Sequence, residues 1–119
     1  MHHRWNRNYL AVAFFDGVKP SLVQQRGIYT FIKIEALDKN LQREWYWETS
    51  GKYKTYSGQA SHGIISADID ADRRDELVSG STALDDDGVP LWSTIMGHPD
   101  VAYAADIDPD NDGLEIFYG

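Results

Sequence analysis

The chain has 119 residues, of which 42% are hydrophobic and 25% charged, as expected for one small globular domain. Its net charge of −8 is unevenly divided: residues 1–60 carry nine Lys and Arg against five Asp and Glu, whereas residues 61–119 carry two against fourteen. The acidic half argues against a nucleic-acid partner, the lack of Cys excludes disulfides and thiolate zinc sites, and no apolar run reaches the roughly 20 residues of a membrane span.

The residues up to Thr49 predict four short strands, because apolar or alternating stretches are separated by turn-forming residues. The predicted strands are Tyr9–Phe15, Ser21–Gln25, Ile28–Leu37 and Leu41–Thr49. Four strands in about 40 residues is the size of one blade of a β-propeller, in which four-stranded sheets surround a central axis.

A second group of strands follows a linking stretch rich in Gly, Ser and Tyr. These strands are predicted at Ile64–Ala67, Leu77–Ser79, Ala83–Leu84 and Leu91–Thr94, and Val101–Ala105 begins a third group. No segment shows sustained helical spacing. We therefore predict an all-β chain that forms one partial propeller domain over residues 1–119, with approximate blades at 9–49, 58–96 and, incompletely, 97–119.

An acidic phrase occurs twice in the second half of the chain. Ala67-Asp-Ile-Asp-Ala-Asp72 is repeated as Ala105-Asp-Ile-Asp-Pro-Asp110, and each copy continues to a Glu followed by apolar residues, at Glu76 and Glu115. The copies are 38 residues apart at their first Asp. A repeat near 40 residues is typical of propellers and other folds built from stacked units.

Carboxylates at alternate positions of a tight loop surround a hard cation with oxygen ligands, so each copy predicts a calcium site. The predicted ligands are Asp68, Asp70, Asp72 and Glu76 in the first loop and Asp106, Asp108, Asp110 and Glu115 in the second. Arg73 stands where such loops usually have the Gly that a sharp turn needs. Two alternatives remain, namely that the carboxylates only accept hydrogen bonds within turns or form a solvated acidic surface.

Two histidines precede the acidic loops at similar positions. His62 lies six residues before Asp68, and His98 lies eight residues before Asp106. Equivalent placement in two repeats would bring both rings to one face of the molecule. For each histidine taken alone, a surface or packing role remains the simpler interpretation.

Several short motifs follow one another in an order that is more specific than any one of them. They include Arg26-Gly-Ile-Tyr-Thr30, Gly58-Gln-Ala-Ser-His62, Ala67-Asp-Ile-Asp70, Gly97-His-Pro-Asp100 and Asp106-Ile-Asp-Pro109. On these motifs the chain resembles the rhamnogalacturonan lyases of polysaccharide lyase family eleven over nearly its whole length. The resemblance implies an eight-bladed β-propeller that binds several calcium ions and is secreted or periplasmic.

The resemblance also implies an activity, which is cleavage of rhamnogalacturonan I, a pectic polysaccharide, at the bond from rhamnose to galacturonic acid by β-elimination. It implies that His62, His98 and Asp100 lie at an active-site calcium that neutralises the galacturonate carboxylate and acidifies its C5 proton. Imidazole is softer than the oxygen ligands that calcium prefers, so this assignment depends on the resemblance. Arg26 is a candidate contact to a substrate carboxylate, although an ordinary surface cation is equally compatible.

The chain is expected to be an inactive fragment of a longer lyase, with the catalytic base and the remaining blades elsewhere in the parent protein. Met1–Trp5 lacks the apolar stretch of a signal peptide. Pro99 and Tyr103 stand where the family usually has Gly and His, which together with Arg73 indicates a divergent member.

The rival interpretation is a non-catalytic calcium-binding propeller for adhesion or carbohydrate binding. Such a protein needs the acidic loops but has no use for the histidine pair. The clustered aromatic residues leave a similar choice open, because they either stack on sugar rings or pack within the sheets; these residues are Trp45, Trp47, Tyr53 and Tyr56.

Overall fold

The computed structural model describes residues 7–119 and confirms an all-β chain, with one short 3₁₀ helix at Gly51–Tyr56. The strands are β1 (Asn8–Ala13), β2 (Ser21–Arg26), β3 (Lys33–Leu37), β4 (Arg43–Glu48), β5 (Ile65–Ala67), β6 (Glu76–Ser79), β7 (Thr82–Leu84), β8 (Pro90–Ser93), β9 (Ala102–Ala105) and β10 (Glu115–Tyr118). The prediction that Met1–Trp5 contains no signal peptide concerns residues outside this range. Among the described residues, no helix is long and apolar enough to cross a membrane.

The strands form three antiparallel sheets in chain order. Strands β1 to β4 make the first sheet, β5 to β8 the second, and β9 and β10 a two-stranded third. The first two sheets share an irregularity, because the register shifts between their third and fourth strands, at Ala36/Leu37 and at Ala83/Leu84. The two four-stranded sheets are thus built to the same plan.

The third predicted strand begins later than the sequence pattern indicated. The pattern predicted Ile28–Leu37, whereas β3 covers only Lys33–Leu37. Ile28 and Ile32 are buried, at 0% and 2% exposure, but they lie in the connection from β2. The Ile32 N–H donates to Thr49 Oγ1 (3.0 Å), which follows β4, so this apolar stretch contributes to the core from a loop.

The core lies between the first and second sheets. Along β2 and β3 its buried side chains alternate with more exposed ones, as the two-residue period of a strand requires. The core includes Val23, Ile34, Ala36, Trp47, Leu77 and Leu84. In β6 both Leu77 and its neighbour Val78 are completely buried. Since neighbouring residues of a strand point to opposite faces, the second sheet is covered on both faces and is the middle layer.

The outer faces of the first and third sheets are apolar and exposed. Leu10 and Val12 of β1 are 67% and 56% exposed, and Tyr103 of β9 and Phe117 of β10 are 61% and 62% exposed. The inner faces of the same strands pack towards the middle sheet. The molecule is therefore a stack whose two end surfaces resemble interiors more than ordinary protein surface.

Candidate metal centres

The structure brings the two predicted histidines and Asp100 together. His62 lies just before β5 and His98 just before β9, and these strands are neighbours. The imidazole rings are 4.8 Å apart between centroids, and the Nε2 atom of each lies 3.8 Å from Asp100 Oδ1. Residues 36 positions apart in the chain thus form one cluster, with side chains exposed by 33% at His62 and 17% at His98.

His98 is held so that one ring nitrogen points into this cluster. Its Nδ1 contacts the carbonyl oxygen of Ala60, and because a carbonyl only accepts hydrogen bonds, Nδ1 carries the proton. In the neutral ring the lone pair is then on Nε2, which is buried without a hydrogen-bond partner among the described residues. A buried acceptor next to a carboxylate fits a cation, and anchoring of the far ring nitrogen is usual for metal-binding histidines.

A pocket of about 240 Å³ opens beside His62 and Asp100. Its wall is formed by residues that precede and begin β5 and β9, including Ile64, Ala102 and the exposed Tyr103. Pro99, the other predicted departure, is buried. The cluster is thus open to a ligand on the side of Asp100, which is 85% exposed.

The first acidic loop assembles three of its four predicted ligands. Oxygen atoms of Asp68, Asp70 and Glu76 lie within 4.8 Å of one another. The Glu76 side chain is completely buried, and its Oε2 accepts a hydrogen bond from the Ile69 N–H (2.8 Å) while Oε1 has no partner among the described residues. Burial, reinforced by the neighbouring carboxylates, raises the pKa of Glu76 to about 7. An unsatisfied buried carboxylate beside two others is chemistry that a divalent cation would satisfy.

The structure does not bring Asp72 into this group. Its Oδ1 accepts from the Arg74 N–H (2.8 Å), as expected of a turn residue. Between them, Arg73 adopts a left-handed backbone conformation with φ of +76°. The loop therefore makes the sharp turn that the sequence pattern requires of a Gly, with an Arg in that place.

The second acidic loop does not form an equivalent group. Glu115 Oε2 accepts from the N–H groups of Ile107 and Asp108 (2.8 and 3.0 Å), as Glu76 does from Ile69, so the repeat is structural as well as sequential. These hydrogen bonds lower the pKa of Glu115. Within residues 7–119, however, the ligand oxygens of Asp106, Asp108, Asp110 and Glu115 do not lie within 4.8 Å of one another.

Arg26 lies apart from the histidine cluster. It ends β2 and lines a groove of about 220 Å³ on the first sheet, together with Lys33, Arg43 and Tyr46. In this groove Lys33 pairs with Glu48 at 3.9 Å and Arg43 with Glu35 at 2.9 Å. None of the residues that line this groove lines the pocket beside His62.

The predicted aromatic cluster packs in and against the core, with Trp47 buried and the other three rings partly buried. Trp47 is 3% exposed and packs against Tyr53 and Tyr56, with ring centroids 5.9 and 5.8 Å away. Trp45 packs edge-to-face on Phe15 at 5.2 Å. Packing within the sheets is therefore the observed arrangement of these rings.

Two features of the sites were missed at the level of sequence. Carboxylate oxygens of Asp85, Asp86 and Asp87, between β7 and β8, lie within 4.8 Å of one another, and Arg74 pairs with Asp86 at 2.5 Å. The hydroxyl of Tyr9 lies 3.3 Å from His62 Nδ1. The run of three Asp was a visible signal, whereas nothing in the sequence links Tyr9 to His62.

Comparison with known proteins places the chain among enzymes of one family. The family described as rhamnogalacturonan lyase family 11, C-terminal domain, matches residues 2–119. The rhamnogalacturonan exolyase YesX of Bacillus subtilis is 38% identical over 119 residues, and the endolyase YesW of the same organism is 36% identical, in each case over 97% of this chain and 19% of the relative.

Solved structures agree with this assignment. The exotype rhamnogalacturonan lyase YesX superposes with a TM-score of 0.91 at 38% identity, and the rhamnogalacturonan lyase of Bacillus licheniformis with 0.92 at 36%. Each comparison covers 97% of this chain and 20% of the solved chain. The chain thus spans about a fifth of the length of the relatives that it matches.

Proposed function

The chain belongs to rhamnogalacturonan lyase family 11, and from that membership we propose that it is part of an enzyme that cleaves rhamnogalacturonan I by β-elimination. The bond broken is the one from rhamnose to galacturonic acid. The observation that carries the proposal is the convergence of His62, His98 and Asp100 in one cluster, of which His62 and Asp100 line an open pocket. Because the relatives are about five times longer, the catalytic base and the rest of the cleft are assigned to further chain.

The three side chains of the cluster would hold a calcium ion. His98 contributes an Nε2 that the Ala60 carbonyl keeps pointed into the cluster, and the exposed Asp100 contributes a negatively charged oxygen at the mouth of the pocket. A bound calcium supplies positive charge that neutralises the galacturonate carboxylate and makes the C5 proton more acidic. The pocket beside His62 would receive the sugar that carries this carboxylate.

Further calcium ions would have a structural role in the acidic loops. Asp68, Asp70 and Glu76 already lie close enough to share an ion, and Asp72 would have to turn away from the Arg74 N–H to add a fourth ligand. In the second loop, Asp106, Asp108, Asp110 and Glu115 would have to draw together around the ion. The histidine cluster and the acidic loops lie at opposite ends of β5 and β9, so the two kinds of site are separate.

The proposed whole protein is an eight-bladed propeller, of which this chain provides two four-stranded blades and part of a third. The exposed apolar faces of the first and third sheets support this, because further blades would cover them. Arg26 is proposed as a substrate contact from the first blade. An intact polysaccharide stays outside the cytoplasm, so an enzyme that cleaves it must act there. We therefore propose that the parent protein is secreted or periplasmic.

The test is a pair of substitutions, His62→Ala and His98→Ala together, in the complete gene product that contains this segment. The release of unsaturated uronate ends is followed by ultraviolet absorbance, and folding by circular dichroism. We expect at least a 100-fold loss of lyase rate with the strand spectrum retained, because the ligands contributed by two blades are gone. Lys39→Ala, an exposed change in the turn before β4, is the control and should leave the rate unchanged.

The alternative function is a calcium-stabilised propeller that binds carbohydrate without cleaving it. It predicts no lyase activity in the unsubstituted protein, with calcium-dependent binding of the polysaccharide that survives the double substitution. An active enzyme whose rate is unaffected by the double substitution would remove the histidine pair from the proposed mechanism.

A further inference from the structure

Tyr9 is the residue that connects the first sheet to the histidine cluster. It lies on β1, whose inner face packs against β5, and its side chain is half-buried against the core. Its hydroxyl oxygen lies 3.3 Å from Nδ1 of His62, a distance that permits a hydrogen bond. The contact joins residues 53 positions apart.

The two histidines are held in parallel ways. The Nδ1 of His98 donates to the Ala60 carbonyl, and the Nδ1 of His62 lies against the Tyr9 hydroxyl, so each ring is anchored through the same nitrogen. Each Nε2 is then directed at Asp100 Oδ1, at 3.8 Å. A distance of 3.8 Å is too long for a hydrogen bond, so Asp100 does not hold a proton on either Nε2 in this arrangement.

The Ala60 carbonyl determines the tautomer of His98, but a hydroxyl leaves that of His62 open because it both donates and accepts. If Tyr9 donated, His62 would carry its proton on Nε2 and could not offer that atom to a cation. If Tyr9 accepts, the lone pair lies on Nε2 and both rings present the same kind of atom to Asp100. Only the second arrangement makes the cluster a ligand set.

We propose that Tyr9 is a positioning residue for His62: its hydroxyl oxygen accepts the Nδ1–H of His62 and so keeps the Nε2 lone pair directed at the site shared with His98 and Asp100. The proposal rests on the proposed metal role of the cluster. The first sheet would then take part in the site, because Tyr9 of β1 orients the His62 ring. Hydrogen-bonded neighbours of metal ligands typically change metal affinity by 10- to 100-fold when removed.

The first test reads the tautomer directly in the metal-free protein. The ¹⁵N-labelled chain is treated with a chelator and studied at alkaline pH, about two units above the ordinary imidazole pKa of ~6.5, because high pH favours the neutral form of an imidazole. Ring nitrogen shifts, assigned with His62→Gln and His98→Gln, report which nitrogen is protonated. We expect Nδ1 to be protonated in both His62 and His98. In Tyr9→Phe, we expect His62 to become a mixture of tautomers while His98 is unchanged.

Tyr53→Phe is the matched control, because it removes a hydroxyl from a ring that packs on Trp47 away from the cluster. It should change neither histidine. Protonation of His62 on Nε2 in the unsubstituted chain, or an unchanged His62 tautomer in Tyr9→Phe, would overturn the proposal.

The second test separates Tyr9 from the metal role on which it rests. Calcium chloride is titrated while the ring nitrogen signals of His62 and His98 are followed, so that only the ion at this cluster is detected. We expect about tenfold weaker binding in Tyr9→Phe and unchanged binding in Tyr53→Phe. Signals that never respond to calcium in the unsubstituted chain would overturn the metal role, and equal affinity in Tyr9→Phe would overturn the positioning role.

Discussion

Equivalent residues of the two repeats have opposite electrostatic surroundings. Glu76 and Glu115 occupy the same place in the repeated phrase. Each accepts a hydrogen bond from the backbone N–H of the Ile in its own loop, Ile69 for Glu76 and Ile107 for Glu115. Glu76 belongs to the middle sheet, where burial raises its pKa to about 7, whereas at Glu115, in the outer sheet, backbone hydrogen bonds lower the pKa. The position of a sheet in the stack therefore decides whether the pKa of the equivalent carboxyl group is raised or lowered.

This difference predicts a pH dependence of the metal-free protein. Glu76 has a folded pKa of about 7 against an ordinary value of 4.5, so the folded state binds the extra proton between these values. Stability from this group is present below about pH 4.5 and is lost as the pH rises towards 7. The test is urea unfolding of Glu76→Gln and of the unsubstituted chain, both with chelator. The folding equilibrium constant of the variant, divided by that of the unsubstituted chain, should rise more than tenfold from about pH 5 to pH 8.

Glu115→Gln is the matched control, and its stability relative to the unsubstituted chain should change little between about pH 5 and pH 8. Because its folded pKa is lowered, Glu115 contributes stability above the ordinary value of 4.5 that is lost as the pH falls through the lower folded value. If the stability of Glu76→Gln relative to the unsubstituted chain were the same at both pH values, the raised pKa of a buried Glu76 would be contradicted.

Arg73 is strained by its place in the first acidic loop. Its φ of +76° is costly for a residue with a Cβ, by about 1–2 kcal/mol, whereas Gly tolerates it. Arg73→Gly should raise the free energy of unfolding by about 0.5–1 kcal/mol, after allowance for the larger entropy of an unfolded Gly. The hydrogen bond from the backbone N–H of residue 73 to Asp68 Oδ2 (2.9 Å) is kept in this variant.

Arg73→Ala separates strain from side-chain loss, since it removes the guanidinium but keeps the Cβ. Urea denaturation should give a value within about 0.5 kcal/mol of the unsubstituted chain. If Ala stabilised as much as Gly, charge rather than backbone strain would be the cause.

At the scale of elements, the acidic loops join the sheets to one another. The first loop meets the end of β1 through a pair of hydrogen bonds, from Phe14 N–H to Asp75 Oδ2 (2.7 Å) and from Asp75 N–H to the Phe14 carbonyl (3.1 Å). The second loop meets the first through the Leu114 N–H, which donates to the Ile69 carbonyl (3.0 Å). Asp75 and Leu114 both directly precede the Glu of the repeat, so one repeated position makes both junctions.

Gly113 is required at the second junction. Its φ is +99°, and a Cβ there would lie 2.4 Å from the Ile69 carbonyl oxygen. Gly113→Ala should therefore lower the free energy of unfolding through both backbone strain and overlap. Gly51→Ala is the matched control, because Gly51 also has a positive φ, of +53°, but has open space around it. Urea denaturation should show Gly113→Ala to be less stable than the control by about 1–3 kcal/mol; equal losses would mean that the loops do not meet as described.

At the scale of the whole molecule, basic and acidic residues are unevenly distributed over the three sheets. Residues 1–60, which include the first sheet, carry nine of the eleven Lys and Arg, and the acidic loops belong to the second and third sheets. The carboxylates crowded in these loops repel one another, which opposes the compact state unless a cation binds. Bound calcium would therefore act on the stability of the stack as well as on any chemistry.

Calcium should raise the melting temperature of the metal-free chain. A ligand at 100 times its dissociation constant adds about 2.7 kcal/mol per site to the free energy of unfolding. Magnesium is the matched control, because it demands a smaller octahedral site and loses its water reluctantly. Sodium chloride at equal ionic strength controls for screening. If either salt raised the melting temperature as much as calcium, repulsion alone and not ion binding would explain the effect.

The sequence alone determined the features that depend on neighbours in the chain. The two-residue alternation and the Asp and Gly turns located nine of the strands within a few residues, and the repeated acidic phrase located both loops. The pattern erred where packing dominates, as at Ile28 and Ile32, which are buried from a loop. A resemblance carried by short motifs was sufficient to identify the family, because the motifs stand in a fixed order.

Tertiary structure alone decided which of these residues meet. His62 and His98 share a site because β5 and β9, from neighbouring sheets, pack against each other. Tyr9 reaches His62 because β1 of the first sheet packs against β5. It also decided that the first loop gathers carboxylates while the second does not, since only Glu76 is buried in the middle layer. The physical reason is that strand periodicity is local, whereas burial and long-range contact depend on how whole sheets are stacked.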